Sequence, residues 1–191
     1  MWLPKRGASV LTLTMLHAGL LTLLAAGPAP LPPLAGPLSA PLDDPTIVAI
    51  FDTANTYDME TSGLAAKRAT HSDVRALAKQ FAGDHEAVRQ QGRDLAKKLG
   101  VTPTPPKDDK SARDHADAMK KLEAAKGDAF DKAYLAHEVA YHQAVIDAIN
   151  QTLLPGIQNA ELKAFVQKVG PAFQAHLDAA KRLAQKYGAT S

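Results

Sequence analysis

Apolar positions along this chain recur three and four residues apart over four long stretches, the spacing that gathers them on one face of an α-helix. Between Ser72–Asp73, a helix start, and Gly100, a helix stop, the stripe is Val74, Leu77, Phe81, Val88, Leu95 and Leu99. Between Asp128 and Thr152 it is Leu135, Glu138, His142, Val145, Ile149 and Leu153. Between Asn159 and Tyr187 it is Leu162, Phe165, Val169, Phe173, His176, Ala180, Leu183 and Tyr187, with Gly170–Pro171 expected to kink or split the helix. The first helix is expected from Pro45, behind an Asp43 or Asp44 cap, to about Ala69. Its seam is less regular: Ile50, Tyr57 and Leu64 lie on one line, and Glu60 sits beside it. VTPTPPKDD, from Val101, is a loop because its prolines cannot continue a helix, and Ser111–Lys126 reads as a short charged crossover helix with His115 facing solvent. No stretch alternates with a period of two. The pattern predicts an all-α fold, a four-helix bundle with an extra short crossover helix between the second and third long helices.

Polar residues interrupt these stripes at similar depths. His85 fills a gap in the second helix with Asp84 at its edge, Glu138 and His142 stack in the third, and His176 stands mid-seam in the last. At 1.5 Å per residue, Glu60 and His85 come within about one turn of the same height. Glu138 is level with His176 to a similar margin, with His142 about one turn away. HEVAYH, from His137, resembles a zinc-protease motif with one residue too many. At 100° per residue its histidines lie about 140° apart, against about 40° for the protease pair, so they do not grip one zinc from one helix. His137 is therefore a flank residue, and His71, beside Ser72, a cap neighbour.

Ionisable groups buried without partners cost several kcal/mol. These residues must therefore meet one another, as a packing network, or a cation. Imidazole and carboxylate ligands suit a divalent transition metal such as zinc, copper or iron. The candidate ligands are Glu60, His85, His142 and His176, with Asp84 and Glu138 as neighbours.

Composition narrows the setting. Lys5 and Arg6 precede an apolar run from Val10 to Ala26, which reads as a signal peptide over residues 1–27, or else as an uncleaved anchor and the only route to a membrane. Residues 28–45, with Pro28, Pro30, Pro32, Pro33, Pro37, Pro41 and Pro45, read as a disordered spacer, and 46–188 as the helical domain. Without Lys5 and Arg6 the 22 basic residues fall level with the 20 acidic ones, which lacks the basic excess of a nucleic-acid binder. The absence of cysteine removes thiolate metal sites, disulfides and thiol catalysis. There is no G-x-S-x-G motif and no phosphate-binding glycine loop, so an enzyme is the less favoured class. The expectation is an exported protein, periplasmic or secreted, with a homo-oligomer left open.

The runs METSGLAAKRA, VRALAKQFAGDH, FDKAYLAHEVAYH and GPAFQAHLDAAKRL, in that order, resemble the bacterial exported family known as domain of unknown function 4142. The resemblance covers about Thr46 to Tyr187 and implies a ferritin-like fold. It implies matched positions at Glu60 and Gly63, Asp84 and His85, Tyr134 and His142, and Pro171 and His176. One polar seam residue per long helix follows: Glu60, His85, His142 and His176. His137 and Glu138 depart from the pattern. The standard di-iron site of ferritin-like proteins needs Glu-x-x-His on two helices, and no Glu of this chain has a His three positions on. A histidine-rich mononuclear site in an envelope protein of metal handling or stress is the expected reading. A structural or interaction module with a purely packing polar cluster is the alternative.

Overall fold

A computed structural model describes residues 42–189, so the signal peptide expected at 1–27 and residues 28–41 of the expected spacer lie outside the described residues. The helices are α1 (Asp44–Arg68), α2 (Ser72–Leu99), α3 (Ser111–Ala124), α4 (Asp128–Ala148), the single turn α5 (Leu154–Gly156) and α6 (Ala160–Tyr187). Among the described residues there is no strand.

Local chemistry sets the ends. Asp43 Oδ1 accepts the Thr46 N–H at 2.9 Å ahead of Pro45, and Asn159 Oδ1 accepts the N–H groups of Glu161 and Leu162 at 2.9 and 3.1 Å. Gly100 ends α2 at φ 67°, a left-handed conformation that costs a residue without Cβ little. Two elements depart from expectation. The third long helix does not run to Thr152 as an α-helix. It widens into a π-helical turn over Ile149–Leu153, just before Pro155. Gly170–Pro171 does not split α6, which stays helical from Ala160 to Tyr187.

Tethers at the helix ends fix the topology. α1 and α2 are joined by three residues and run antiparallel. The Asp44 carboxylate accepts the backbone N–H groups of Gln158 and Asn159, both at 2.8 Å, placing the start of α6 beside the start of α1. Arg68 donates to the carbonyls of Leu122, Glu123 and Ala125, so α3 climbs alongside α1 and delivers the chain to the same end for α4. At that end Asp131, fully buried, accepts the N–H groups of Thr70 and His71 and pairs with His71 Nδ1, each at 2.8 Å. The α1–α2 turn is thereby clamped from α4. The result is two antiparallel pairs, α1/α2 and α4/α6, linked by one crossover.

The apolar core comes in two halves. One gathers Val74, Phe81, Phe130, Leu135 and Ala180 near the Asp131 clamp, and the other gathers Ile47, Phe51, Ile149, Val166 and Phe173 near the Asp44 tether. Between them lies a layer of buried polar side chains: Asn55, Asp58, Thr61, Ser62, His85, Glu138, His142 and His176.

Removing the clamp should cost more than a surface ion pair. Asp131→Ala leaves two turn N–H groups without their acceptor and is expected to lower unfolding free energy by about 2–4 kcal/mol. Urea unfolding followed by circular dichroism measures this, and a loss of only a few tenths would show that the clamp is not structural.

Candidate metal centre

Four helices feed the polar layer. α1 contributes Asn55 and Asp58, α2 His85, α4 Glu138 and His142, and α6 His176. The hydrogen bonds on the far sides of the rings settle which nitrogen of each imidazole carries its proton. Asn55 Nδ2 donates to the Phe51 carbonyl at 2.7 Å, which turns Asn55 Oδ1, an acceptor, toward His85 Nδ1 at 2.9 Å. His85 Nδ1 is therefore the N–H, and Nε2 carries the lone pair. His142 Nδ1 donates to the Glu138 carbonyl at 3.1 Å, leaving its Nε2 lone pair free. His176 Nε2 donates to Asp84 Oδ2 at 3.0 Å, leaving the lone pair on Nδ1.

Those three lone pairs face one another. His85 Nε2 lies 3.4 Å from His142 Nε2 and 3.3 Å from His176 Nδ1. Asp58 Oδ2 completes the group at 3.4 Å from His85 Nε2 and 3.7 Å from His142 Nε2, and it accepts no hydrogen bond. The arrangement is thus three neutral imidazole acceptors and one carboxyl oxygen around a common point, with no ring proton between them. Burial is the first cause holding all three rings neutral. It presses His85 down to about 2, helped by its two histidine neighbours, and it lowers His142 and His176 against the pull of Asp58 and Asp84 respectively.

A second trio adjoins the first through His142: Asp58, Glu138 and His142 also bring ligand atoms within 4.8 Å of one another. Ser62 donates to Asp58 Oδ1 at 3.1 Å and lies 2.9 Å from the Tyr134 hydroxyl, while Thr61 donates to Glu138 Oε1 at 3.4 Å. Glu138 Oε2 is buried without a hydrogen-bond partner, 3.3 Å from His142 Nδ1. Burial raises Asp58 well above the carboxylate range, with the Glu138 charge next, and burial raises Glu138 to about 8. The two acids therefore hold at least one proton between them at neutral pH.

The sequence-expected residues divide sharply. His85, His142, His176 and Glu138 lie together in the buried layer. Asp84, half-exposed at 49%, stands behind His176 as its hydrogen-bond acceptor and does not face the common point. Glu60 does not belong to the cluster: its side chain is 53% exposed and pairs with His115 Nε2 at 2.6 Å. The physical reason is register. The buried line of α1 is Phe51, Asn55, Asp58, Ser62 and Ala65, and Glu60 lies about 200° from Asp58 on the same helix. His115 is likewise not solvent-facing. It is 12% exposed and stacks on Tyr57 with ring centroids 4.1 Å apart. His137 flanks the layer, 5.5 Å from the Tyr141 ring. Asp58 and Asn55 were missed because the inner face of α1 is polar at its middle. Their signal was the four-three-four-three spacing from Phe51 to Ala65, which hydrophobicity alone does not reveal.

A pH test follows from Glu138. Its folded-state value lies above the ordinary 4.5, so the stability it confers is whole below about 4.5 and is lost as pH rises toward about 8. The histidines act oppositely: their folded values are depressed, so their contribution is whole above 6.5 and is lost as pH falls below it. Glu138→Gln, which keeps shape and removes the charge, should raise the melting temperature of metal-free protein at pH 8 and change it little at pH 5. Equal shifts at both pH values would contradict the buried-acid assignment.

Comparison with known proteins places the chain. The sequence pattern of DUF4142, a domain of unknown function, matches residues 29–183. No curated protein matches the chain. Among solved structures, a DUF305 fragment from Deinococcus radiodurans is similar at TM-score 0.65 and 12% identity, covering 76% of this chain and 99% of that one. A DUF305 protein from Streptomyces coelicolor, described as secreted, is similar at TM-score 0.63 and 13% identity, covering 76% and 94%. CopM in the Cu(II)-bound form is similar at TM-score 0.59 and 15% identity, covering 76% and 98%. At these identities the likeness is one of fold.

Proposed function

The chain belongs to the DUF4142 family, and we propose that its bundle binds a single copper or zinc ion through His85, His142, His176 and Asp58, as an exported metal-handling protein and not an enzyme. The observation that carries this reading is the convergence of three unprotonated imidazole nitrogens and an unpartnered buried carboxylate oxygen. Without a cation these lone pairs repel. With one, each finds its partner.

The spacing supports a first-row ion. Metal–nitrogen bonds of about 2.0–2.1 Å make tetrahedral edges of about 3.3–3.4 Å, and the two His85 separations are 3.4 and 3.3 Å. The outer hydrogen bonds from Asn55, the Glu138 carbonyl and Asp84 fix each ring's tautomer, the role such partners play behind metal-ligating histidines. Nitrogen-rich ligation favours copper over the other divalent ions of the row, zinc included. The similar fold of CopM, whose structure carries Cu(II), adds support for copper in a bundle of this shape. Glu138 is the acid beside the site that keeps a proton while Asp58 turns toward the ion.

Asp84 and His176 form the polar approach. His176 is the least buried of the three rings, and the half-exposed Asp84 carboxylate beside it would attract a hydrated cation. An exported location is supported by the signal-like segment and by the secreted DUF305 relative in fold. Among the described residues no helix is long and apolar enough to cross a membrane.

Calorimetric titration of the chelator-treated protein with Cu(II) and Zn(II) tests the reading. One ion per chain should bind. At hundredfold excess over Kd the gain is about 2.7 kcal/mol, or roughly 5–10 °C in melting temperature. His85→Ala/His176→Ala should abolish the heat, and Asp84→Asn should weaken binding about 10–100-fold. A packing network that binds nothing predicts identical heats for wild type and the double variant, and an unchanged melting temperature.

A further inference from the structure

A cavity of about 50 Å³ opens directly on the polar layer. Its inner end is formed by Asn55, Asp58, His85 and His142, and the rest of its wall is apolar, including Val145, Leu153 and Phe173. The volume is several times the about 10–15 Å³ that one water molecule needs. Water has little to hold it there. The ring N–H groups of His85 and His142 and the Asn55 amide are spent on hydrogen bonds elsewhere, and almost all of the surface turned to the cavity is apolar. Cavities with so few polar partners stay dry and take up small apolar guests.

Two further features set this void apart from a packing flaw. The π-helical turn Ile149–Leu153 supplies both its end residues to the wall, and such turns recur at functional sites. The void is also separated from a larger pocket of about 440 Å³ beneath α3 by a thin partition. Ile50, Ala54 and Tyr141 line both spaces. Tyr141 is tied across that partition by a single hydrogen bond, its hydroxyl donating to the Ala54 carbonyl at 2.8 Å.

We propose that this cavity is a binding site for a small uncharged ligand of diatomic size, such as dioxygen, nitric oxide or carbon monoxide, admitted past Tyr141 to the open side of the histidine cluster. The proposal rests on the metal reading for what the ligand meets at the inner end: an ion held by the three histidines, with Asp58, which lines the cavity, as the ligand the guest displaces. The apolar walls suit an uncharged guest and repel a hydrated cation, which has the Asp84–His176 approach instead. Ion and small ligand thus reach the same centre from different sides of the bundle.

Xenon and carbon monoxide are the probes. Crystals of metal-free protein under xenon pressure should show one xenon between Val145, Leu153 and Phe173. The Cu(I)-loaded protein should bind carbon monoxide, seen as a C–O stretch in the infrared. Ala148→Leu, which fills the cavity from its wall, should leave Cu(I) affinity within about twofold and weaken carbon monoxide at least about tenfold. Tyr141→Phe, which frees the ring, should speed carbon monoxide association several-fold without changing Cu(I) affinity. Failure of Ala148→Leu to fold shifts the test to Val145→Phe, with the same expectation. A cavity without xenon, or carbon monoxide binding unaltered in a filled variant that still holds copper, overturns the proposal. If no copper binds at all, the metal reading fails, and xenon occupancy alone then decides whether the cavity accepts a guest.

Discussion

Three imidazole lone pairs confined to one dry point are the constraint on which this bundle turns. Their protons are held on the outer ring nitrogens by Asn55, the Glu138 carbonyl and Asp84. A ring flip that relieved the repulsion would break one of those outer bonds inside a medium where an unmade hydrogen bond costs about 1–3 kcal/mol. Apolar halves of the core close the layer in on either side. The layer is therefore poised: costly when empty, satisfied by a cation. The acid pair beside it extends the same logic. Asp58 and Glu138 hold a proton while the centre is bare, and a cation next to Asp58 favours its ionised form.

The rest of the architecture serves that layer. The Asp131 clamp and the Asp44 tether sit at opposite ends of the bundle and fix the axial register of α1 and α2 against α4 and α6. A slip of one residue on any helix turns its contribution by about 100° and removes it from the cluster. The π-helical turn at the foot of α4 lies about two to three turns below His142, and its end residues line the void.

Much of this was legible in the sequence, for a definable reason. On α2, α4 and α6 the histidines interrupt otherwise apolar stripes, so spacing alone assigned His85, His142 and His176 to the interior, and Glu138 with them. The crossover topology followed from the proline loop and one short charged helix. On α1 the inner face carries Asn55, Asp58, Thr61 and Ser62, so apolar residues marked the wrong line and pointed to Glu60. Family resemblance reinforced that choice. Glu60 instead helps hold α3, through His115, which is why a residue outside the core sits in a recognisable motif. Hydrogen-bond direction, which decides what the cluster is for, is a property of three dimensions and left no mark on the spacing.

The most direct measurement is the tautomeric state of the three rings in the metal-free protein near pH 7, read from long-range proton–nitrogen correlations of ¹⁵N-labelled histidine. The account predicts neutral rings, with the proton on Nδ1 of His85 and of His142 and on Nε2 of His176. A protonated imidazolium among the three, or a proton on any nitrogen that faces the shared point, would contradict it.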